Sequence, residues 1–328
     1  MSFVSISQRF LPSRPVGSRP FRTVLFALFL VAFLLVACAS GGSSGWQRHA
    51  PLSEPRTEVA AAVANGSIVA VGGFQSTGAN SPRADTYSIA EDRWRRLPDL
   101  PLAVDHAAAA SANGRVYILG GYGSDRRPLR TAFVLEAGRW RSLAPMPEAR
   151  AAAAAAVANG VLYVLGGVDG RRGLARVALA LDLSTRRWSR LPGPNPREHL
   201  AAAATGGRIY ALGGRTAGYD TNLALLEVYR PASRIWSRLP PVPTARGGTG
   251  AAAVAGRIVS VGGEEPAGSI NSVFAYSPAT RRWQRLANLP TPRHGLGVVA
   301  YRDRVYAVAG GPQPGLTTSG AVESLRVP

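Results

Sequence analysis

From residue 60 to the C-terminus the chain repeats one pattern of hydrophobic and polar positions. A run of small apolar residues meets a two-residue turn, and a continuous apolar run follows that ends in two glycines. The six copies are AAAVANGSIVAVGG (60–73), AAAASANGRVYILGG (107–121), AAAAAVANGVLYVLGG (152–167), AAAATGGRIYALGG (201–214), GAAAVAGRIVSVGG (250–263) and GVVAYRDRVYAVAG (297–310). Alanine is the strongest helix former, so Ala151–Ala156 taken alone proposes a helix. The repeat overrules it. Six residues before each glycine pair stand Asn65-Gly66, Asn113-Gly114, Asn159-Gly160, Gly206-Gly207, Ala255-Gly256 and Arg302-Asp303. Asn-Gly between apolar runs marks a two-residue hairpin, because both central residues of its type I′ turn need positive φ. The alanine run is therefore the first arm of a hairpin, and Val161–Leu165 is the second.

Glycine pairs begin at 72, 120, 166, 213 and 262, and Ala309-Gly310 follows, a period of 46–49 residues. The tryptophans keep the same register: Trp46, Trp94, Trp140, Trp188, Trp236 and Trp283. Seven residues before the last five of them lie Tyr87, Phe133, Leu181, Tyr229 and Tyr276. Each repeat thus reads as four strands: small, apolar on both faces, aromatic, and Trp-bearing. Arginine two residues after the Trp in five copies (Arg48, Arg96, Arg190, Arg238, Arg285) suits an outer edge, where charge discourages pairing with other chains. Alanine is a poor strand former, but it fits where several sheets converge on an axis and side-chain space is smallest.

Strands of this length, repeating at this period with Gly-Gly, an aromatic and a Trp seven later, resemble the Kelch repeat. The resemblance covers Trp46 to the C-terminus and implies an all-β, six-bladed β-propeller. The sixth repeat ends near Val327 without a Trp, and Trp46-Gln47-Arg48 stands alone before the first. The orphan is expected to be the outer strand of the last blade, closing the ring.

Composition adds the compartment. All 38 basic residues are arginine against 19 acids, a formal net charge of +19, so an anionic partner is expected. Four of those arginines lie before Val24–Ala37, an apolar run too short to span a bilayer and suited to a signal peptide. Leu35-Val36-Ala37-Cys38 resembles the bacterial lipobox, whose cysteine receives a diacylglycerol. The expected organisation is a leader at 1–37, a lipid-anchored Ser/Gly linker at 38–45 and the propeller at 46–328. Such a chain is exported, held at the bacterial cell membrane or outer membrane, monomeric and remote from nucleic acid. Its one cysteine, Cys38, permits no internal disulfide.

Function is expected on the face away from the Asn-Gly turns, where the copies differ. Ten residues before each turn glycine stand Arg56, Val104, Arg150, Arg197, Arg246 and Arg293. Beside them lie Glu58, Asp105, His106, Glu198, His199 and His294, and the loop after the fifth glycine pair carries Glu264 and Glu265. Two readings stand side by side. Either the arginines ring the channel mouth and bind a carboxylate, phosphate or sulfate in bidentate fashion, or they hydrogen-bond the blades' own backbone, as the arginine common to Kelch repeats can. No metal or cofactor is expected, because five neighbouring cations oppose a metal ion at the histidines.

The resemblance reaches two enzyme families. Copper radical oxidases need a cysteine cross-linked to tyrosine, which this chain lacks. The periplasmic sialic-acid mutarotase is also a six-bladed Kelch protein, and on that likeness Glu264, Glu265, Glu198 or Asp105 would serve as general acid or base. No motif singles one of them out. The reading reached here is a non-catalytic, lipid-anchored propeller that binds a protein partner or an anionic glycan or sugar acid at the mouth; a sugar-acid mutarotase or epimerase is the alternative.

Overall fold

The structure, a computed structural model, describes residues 45–328; the expected leader, Cys38 and all but the end of the linker lie outside the described residues. Six four-stranded antiparallel sheets follow one another, with no α-helix among the described residues. The first blade is Ala60–Ala64, Ser67–Val71, Ala84–Ser88 and Arg93–Arg96. The fourth, the longest, opens with Glu198–Thr205 and Arg208–Arg215. The sixth takes Gly297–Tyr301, Arg304–Val308 and Val322–Arg326 from the C-terminus and Gln47–His49 from the N-terminus, paired as Gln47 with Ser324 and His49 with Val322. The first strand of each blade lies against the first strand of the next, and the sixth meets the first. The chain is a closed six-bladed propeller.

Crowding at the axis explains the alanines. A Cβ on Gly250 would come within 2.2 Å of Val298 in the next blade, and one on Gly297 within 2.4 Å of Ala61. Larger residues on these strands would force the blades apart. The opening alanine run differs in detail from a simple strand: only Ala154–Ala158 is extended, while Ala152 turns left-handed at φ 50°. That turn recurs in every blade and shapes the site described below. The second strands are buried on both faces, with Ile68, Val69, Ala70 and Val71 all at 4% exposure or less. Burying a Val, Ile or Leu side chain contributes about 1.5–3 kcal/mol, so these strands are the main source of each blade's cohesion.

Three sets of contacts join blade to blade. The second glycine of each pair donates its N–H to the carbonyl at the arginine position of the following blade: Gly73 to Val104, Gly121 to Arg150, Gly167 to Arg197, Gly214 to Arg246, Gly263 to Arg293, and Gly310 back to Arg56. Close approach is also why glycine stands first in the pair; a Cβ on Gly120 would lie 2.1 Å from the same Arg150 carbonyl. Each Trp indole donates to a backbone carbonyl of the preceding blade, as Trp94 does to Ala50 at 2.9 Å and Trp236 to Pro192 at 2.8 Å. Trp46 completes that set across the seam, donating to Ala287 of the fifth blade at 2.9 Å. The third set lies at the mouth.

Candidate functional site

Every blade enters its first strand through an arginine-position residue followed by two more, and these three positions have different fates. At the first position the five arginines are 0% exposed. Arg56 donates to the Gly72 and Arg83 carbonyls and pairs with Asp85. Arg197 donates to the Gly213 and Ala211 carbonyls and pairs with Glu227. Arg293 donates to the Ala309 and Ala321 carbonyls and pairs with Glu323. Arg150 uses the Val177 carbonyl and Glu148, and Arg246 the Gly262 and Ser272 carbonyls. Arg56, Arg197, Arg246 and Arg293 thereby tie the entry of the first strand to the second and third strands of the blade, and Arg150 ties it to the third. Enclosed in this way they do not line the mouth; of the two readings of the arginines, these contacts are those of the second, hydrogen bonds to the blades' own backbone. The second blade shows what such a strut does by omitting it: Val104 takes the arginine place, and Phe133 takes the place held by Asp85, Glu227 and Glu323 in the register of the third strand. Both are buried and pack in one apolar cluster.

The second position forms single bridges with the residue after the glycine pair, giving an outer rim: Thr57 with Phe74, Asp105 with Tyr122, Ala151 with Val168, Gly247 with Glu264 and His294 with Gly311. In the fourth blade Glu198 pairs with Arg215 inside the strands.

The third position forms an inner collar of Glu58, His106, Ala152, His199, Gly248 and Gly295. All six are left-handed, with φ between 50° and 60°. Their backbones join in a ring: His106 N–H to Glu58, Ala152 to His106, His199 to Ala152, Gly248 to His199 and Gly295 to Gly248, at 2.9–3.1 Å, closed by Val59 N–H to Gly295 at 3.2 Å. Glycine meets this conformation at no steric cost and other residues do not, so two collar positions hold glycine and one holds alanine. The three that carry large polar side chains hold them against a backbone preference, as residues at functional sites do.

Those three side chains meet. His106 Nε2 lies 3.0 Å from His199 Nε2 and 3.3 Å from Glu58 Oε2. Asp105 accepts from His106 Nδ1–H at 2.5 Å, and Arg126 holds the other oxygen of Asp105 at 3.0 Å. Glu198 lies 3.2 Å from His199 Nδ1, without the alignment of a hydrogen bond. His294 donates Nδ1–H to the Gly311 carbonyl at 3.1 Å, which leaves Nε2 toward Glu264 at 3.7 Å and Glu58 at 3.8 Å. Arg215 joins Glu264 at 2.6 Å to Glu198 at 3.3 Å. A cleft of about 220 Å³ opens onto Glu58, His106, His199, Arg215, Glu264 and His294, walled by Phe74, Tyr219 and Leu316. Glu265 is half-buried on the adjoining hairpin and is not part of that lining.

The electrostatics follow from these neighbours. Burial opposes the charge on Glu58, but His106, His199, His294 and Arg215 outweigh it and hold its carboxyl at about 2. Burial disfavours charge on His106 as well, yet Glu58 and Asp105 prevail and raise it; for His199 burial prevails and lowers it. The consistent arrangement is a charged His106 that donates from both nitrogens, with His199 Nε2 as acceptor. Four carboxylates, Glu58, Asp105, Glu198 and Glu264, face two guanidiniums, Arg126 and Arg215. Around the collar, carboxylates therefore outnumber guanidiniums, although the chain as a whole is strongly basic.

Glu58, His106, His199, His294, Glu198, Asp105 and Glu264 are the expected neighbours, gathered in space but divided between rim and collar. Counting one or two residues past each arginine separates them. Arg126 belongs to the loop YGSDRRPLR (122–130) after the second glycine pair, on the face expected to carry function, but nothing in that loop separates it from the arginines beside it. There its guanidinium lies over Phe74 and Tyr122, 5.0 and 4.9 Å from the ring centres.

Two family models match the chain: a KLHDC2/KLHL20/DRC7 Kelch-repeats domain over residues 105–311 and a Kelch motif over 55–101. The chain belongs to the Kelch-repeat family. It is 28% identical over 79 residues to the Kelch repeat and BTB domain-containing protein 1 of cowpox virus, a match spanning 24% of this chain and 14% of that protein. The cowpox virus Kelch repeat and BTB domain-containing protein 2 is 32% identical over 72 residues, which span 22% of this chain and 13% of the relative. The solved structure titled "Structure of YjhT" superposes with a TM-score of 0.72 over 83% of this chain and 95% of that one, at 16% identity. That likeness is one of fold.

Proposed function

We propose that this Kelch propeller is a binding protein of the bacterial envelope, tethered through Cys38, that holds a small sugar acid in the cleft over the collar. One observation carries the reading: three of six collar positions keep bulky polar side chains where the backbone favours glycine, and all three point to one place. Small-molecule pockets of drug size run to roughly 300–1,000 Å³, so a cleft of about 220 Å³ suits a small occupant. Carboxylates and imidazoles suit hydroxyl groups, and Phe74 and Tyr219 offer apolar faces. Arg126 is more than half exposed and spends one bond on Asp105, leaving donors for a ligand carboxylate.

A thermal-shift and calorimetry panel on the full chain tests the reading, using N-acetylneuraminate, glucuronate and galacturonate beside their neutral analogues. Saturable binding of an acid, weakened at least tenfold by Arg126→Gln, supports it. Binding of none, or equal binding of neutral sugars, refutes it. A second reading, catalysis of sugar-acid anomerisation, draws on the Glu58–His106 pair at 3.3 Å, a proton acceptor beside a proton donor. Anomer exchange of N-acetylneuraminate followed by NMR decides it: acceleration that Glu58→Gln abolishes makes the chain a mutarotase.

A further inference from the structure

We propose that Glu58, His106 and His199 form a binding site for one divalent first-row transition ion, of the zinc or ferrous kind, at the axis of the propeller. The proposal concerns the collar and stands whether or not the cleft above takes a sugar acid.

The donor atoms of these three residues all lie within 4.8 Å of one another. Two imidazoles and a carboxylate are the ligand set of open divalent sites, in which the remaining positions stay free for water or substrate. Metal–nitrogen bonds of about 2.0–2.1 Å place two tetrahedral ligands roughly 3.3 Å apart. The Nε2 atoms of His106 and His199 are 3.0 Å apart, and His106 Nε2 is 3.3 Å from Glu58 Oε2. Those two separations are already close to that value; the Glu58 carboxylate stands farther from His199, within 4.8 Å, and must swing toward it to complete the set. Both rings already present Nε2 to the common point, and the far nitrogen of His106 is held by Asp105, the outer support that orients metal-bound histidines. Each comes from a different blade, so the rigid ring of backbone hydrogen bonds sets the separation. Binding replaces the proton shared by the two rings, which leaves to solvent as the ion takes both lone pairs.

The five arginines expected to oppose a metal ion do not reach the axis: all five are buried within their blades, three against a carboxylate on the third strand. What faces the axis is the carboxylate excess described above, which favours a cation.

The test uses the full chain, stripped with EDTA and titrated with Co²⁺ and Zn²⁺. One equivalent of Co²⁺ is expected, with the visible absorption of a mixed nitrogen–oxygen site, and Zn²⁺ should displace it. His106→Gly and His199→Gly should each abolish that absorption; glycine already occupies this conformation at Gly248 and Gly295, so both variants are expected to fold, and their melting is recorded alongside. Asp105→Asn should weaken binding 10–100-fold, and His49→Gln, remote from the mouth, should leave it unchanged. Absence of Co²⁺ binding to the parent chain, or binding retained by both folded glycine variants, overturns the proposal. The sugar-acid panel repeated with and without EDTA separates the two claims, because ligand binding that survives EDTA leaves the first reading standing when the metal fails.

Discussion

Replacing Arg197 by valine should destabilise the propeller severely, and replacing Glu227 by phenylalanine in the same chain should restore most of the loss. Arg197 has no exposed side-chain surface and Glu227 only 4%. Removing one partner of such a pair leaves a buried, uncompensated charge, which costs about 3–5 kcal/mol. Unfolding entropy of about 2.1 cal/mol/K per residue gives roughly 0.6 kcal/mol/K for residues 45–328, so the single variant should melt roughly 5–8 °C lower. The double variant copies the Val104–Phe133 arrangement that the second blade already folds around, with little change in total volume. It should melt within about 2 °C of the parent, a coupling of at least about 3 kcal/mol in the double-mutant cycle. Differential scanning calorimetry of the parent, both single variants and the double variant completes the cycle. A double variant no more stable than Arg197→Val refutes the strut assignment, as would an Arg197→Val variant that melts with the parent.

Ring closure rests on the N-terminal strand, so deleting residues 45–52 removes Trp46, the Gln47–His49 pairing and buried Leu52; a circular-dichroism melt should lose its cooperative transition, and a deletion variant melting like the parent contradicts closure there. Within that strand, burial lowers the pKa of His49 below its ordinary 6.5, its ring being packed beside Tyr306 and bonded to Ser324. A depressed histidine contributes stability that is complete above pH 6.5 and is lost as pH falls through 6.5 toward its folded value. Urea midpoints of parent and His49→Gln across pH 5–8 should converge toward acid, and parallel curves refute the assignment. Gly120→Ala places a Cβ against the Arg150 carbonyl at φ 61°, so a loss above about 1–3 kcal/mol is expected from denaturation curves, whereas Gly160→Ala, with open space around it, should lose no more than that backbone cost.

The fold was legible because its signals are periodic. Asn-Gly turns, glycine pairs and tryptophans recur in one register, and the orphan Trp46 completes the sixth blade as counting required. Less legible was what those residues do between blades. The second glycine of each pair and each indole bond to a neighbouring blade, and a repeat read one copy at a time gives no account of its neighbours. The arginines illustrate the difficulty in the other direction. Position along the strand suggested a charged ring, yet a long side chain can fold back into its own blade, and the matching carboxylates Asp85, Glu227 and Glu323 lie about 30 residues downstream on another strand. Their register, and its apolar substitute at Val104 and Phe133, can be found in the sequence once strand pairing is known. The collar was concealed by a single residue of offset: adjacent positions face the rim and the axis in turn, so Asp105 and His106 belong to different tiers. Arg126 sits in a turn that recurs after the glycine pairs of the first and third blades, where Gly78 and Arg172 take its left-handed place, so its position alone did not mark it.

The meeting of His106 and His199 at the axis can be read in the metal-free protein by ¹⁵N NMR of the histidine side chains. A through-hydrogen-bond coupling between the two Nε2 nuclei, absent in His199→Gly, is the expected result. Two imidazoles that show no coupling and exchange their ring protons freely with water would mean that the collar does not gather its side chains, and the site built on it would fall.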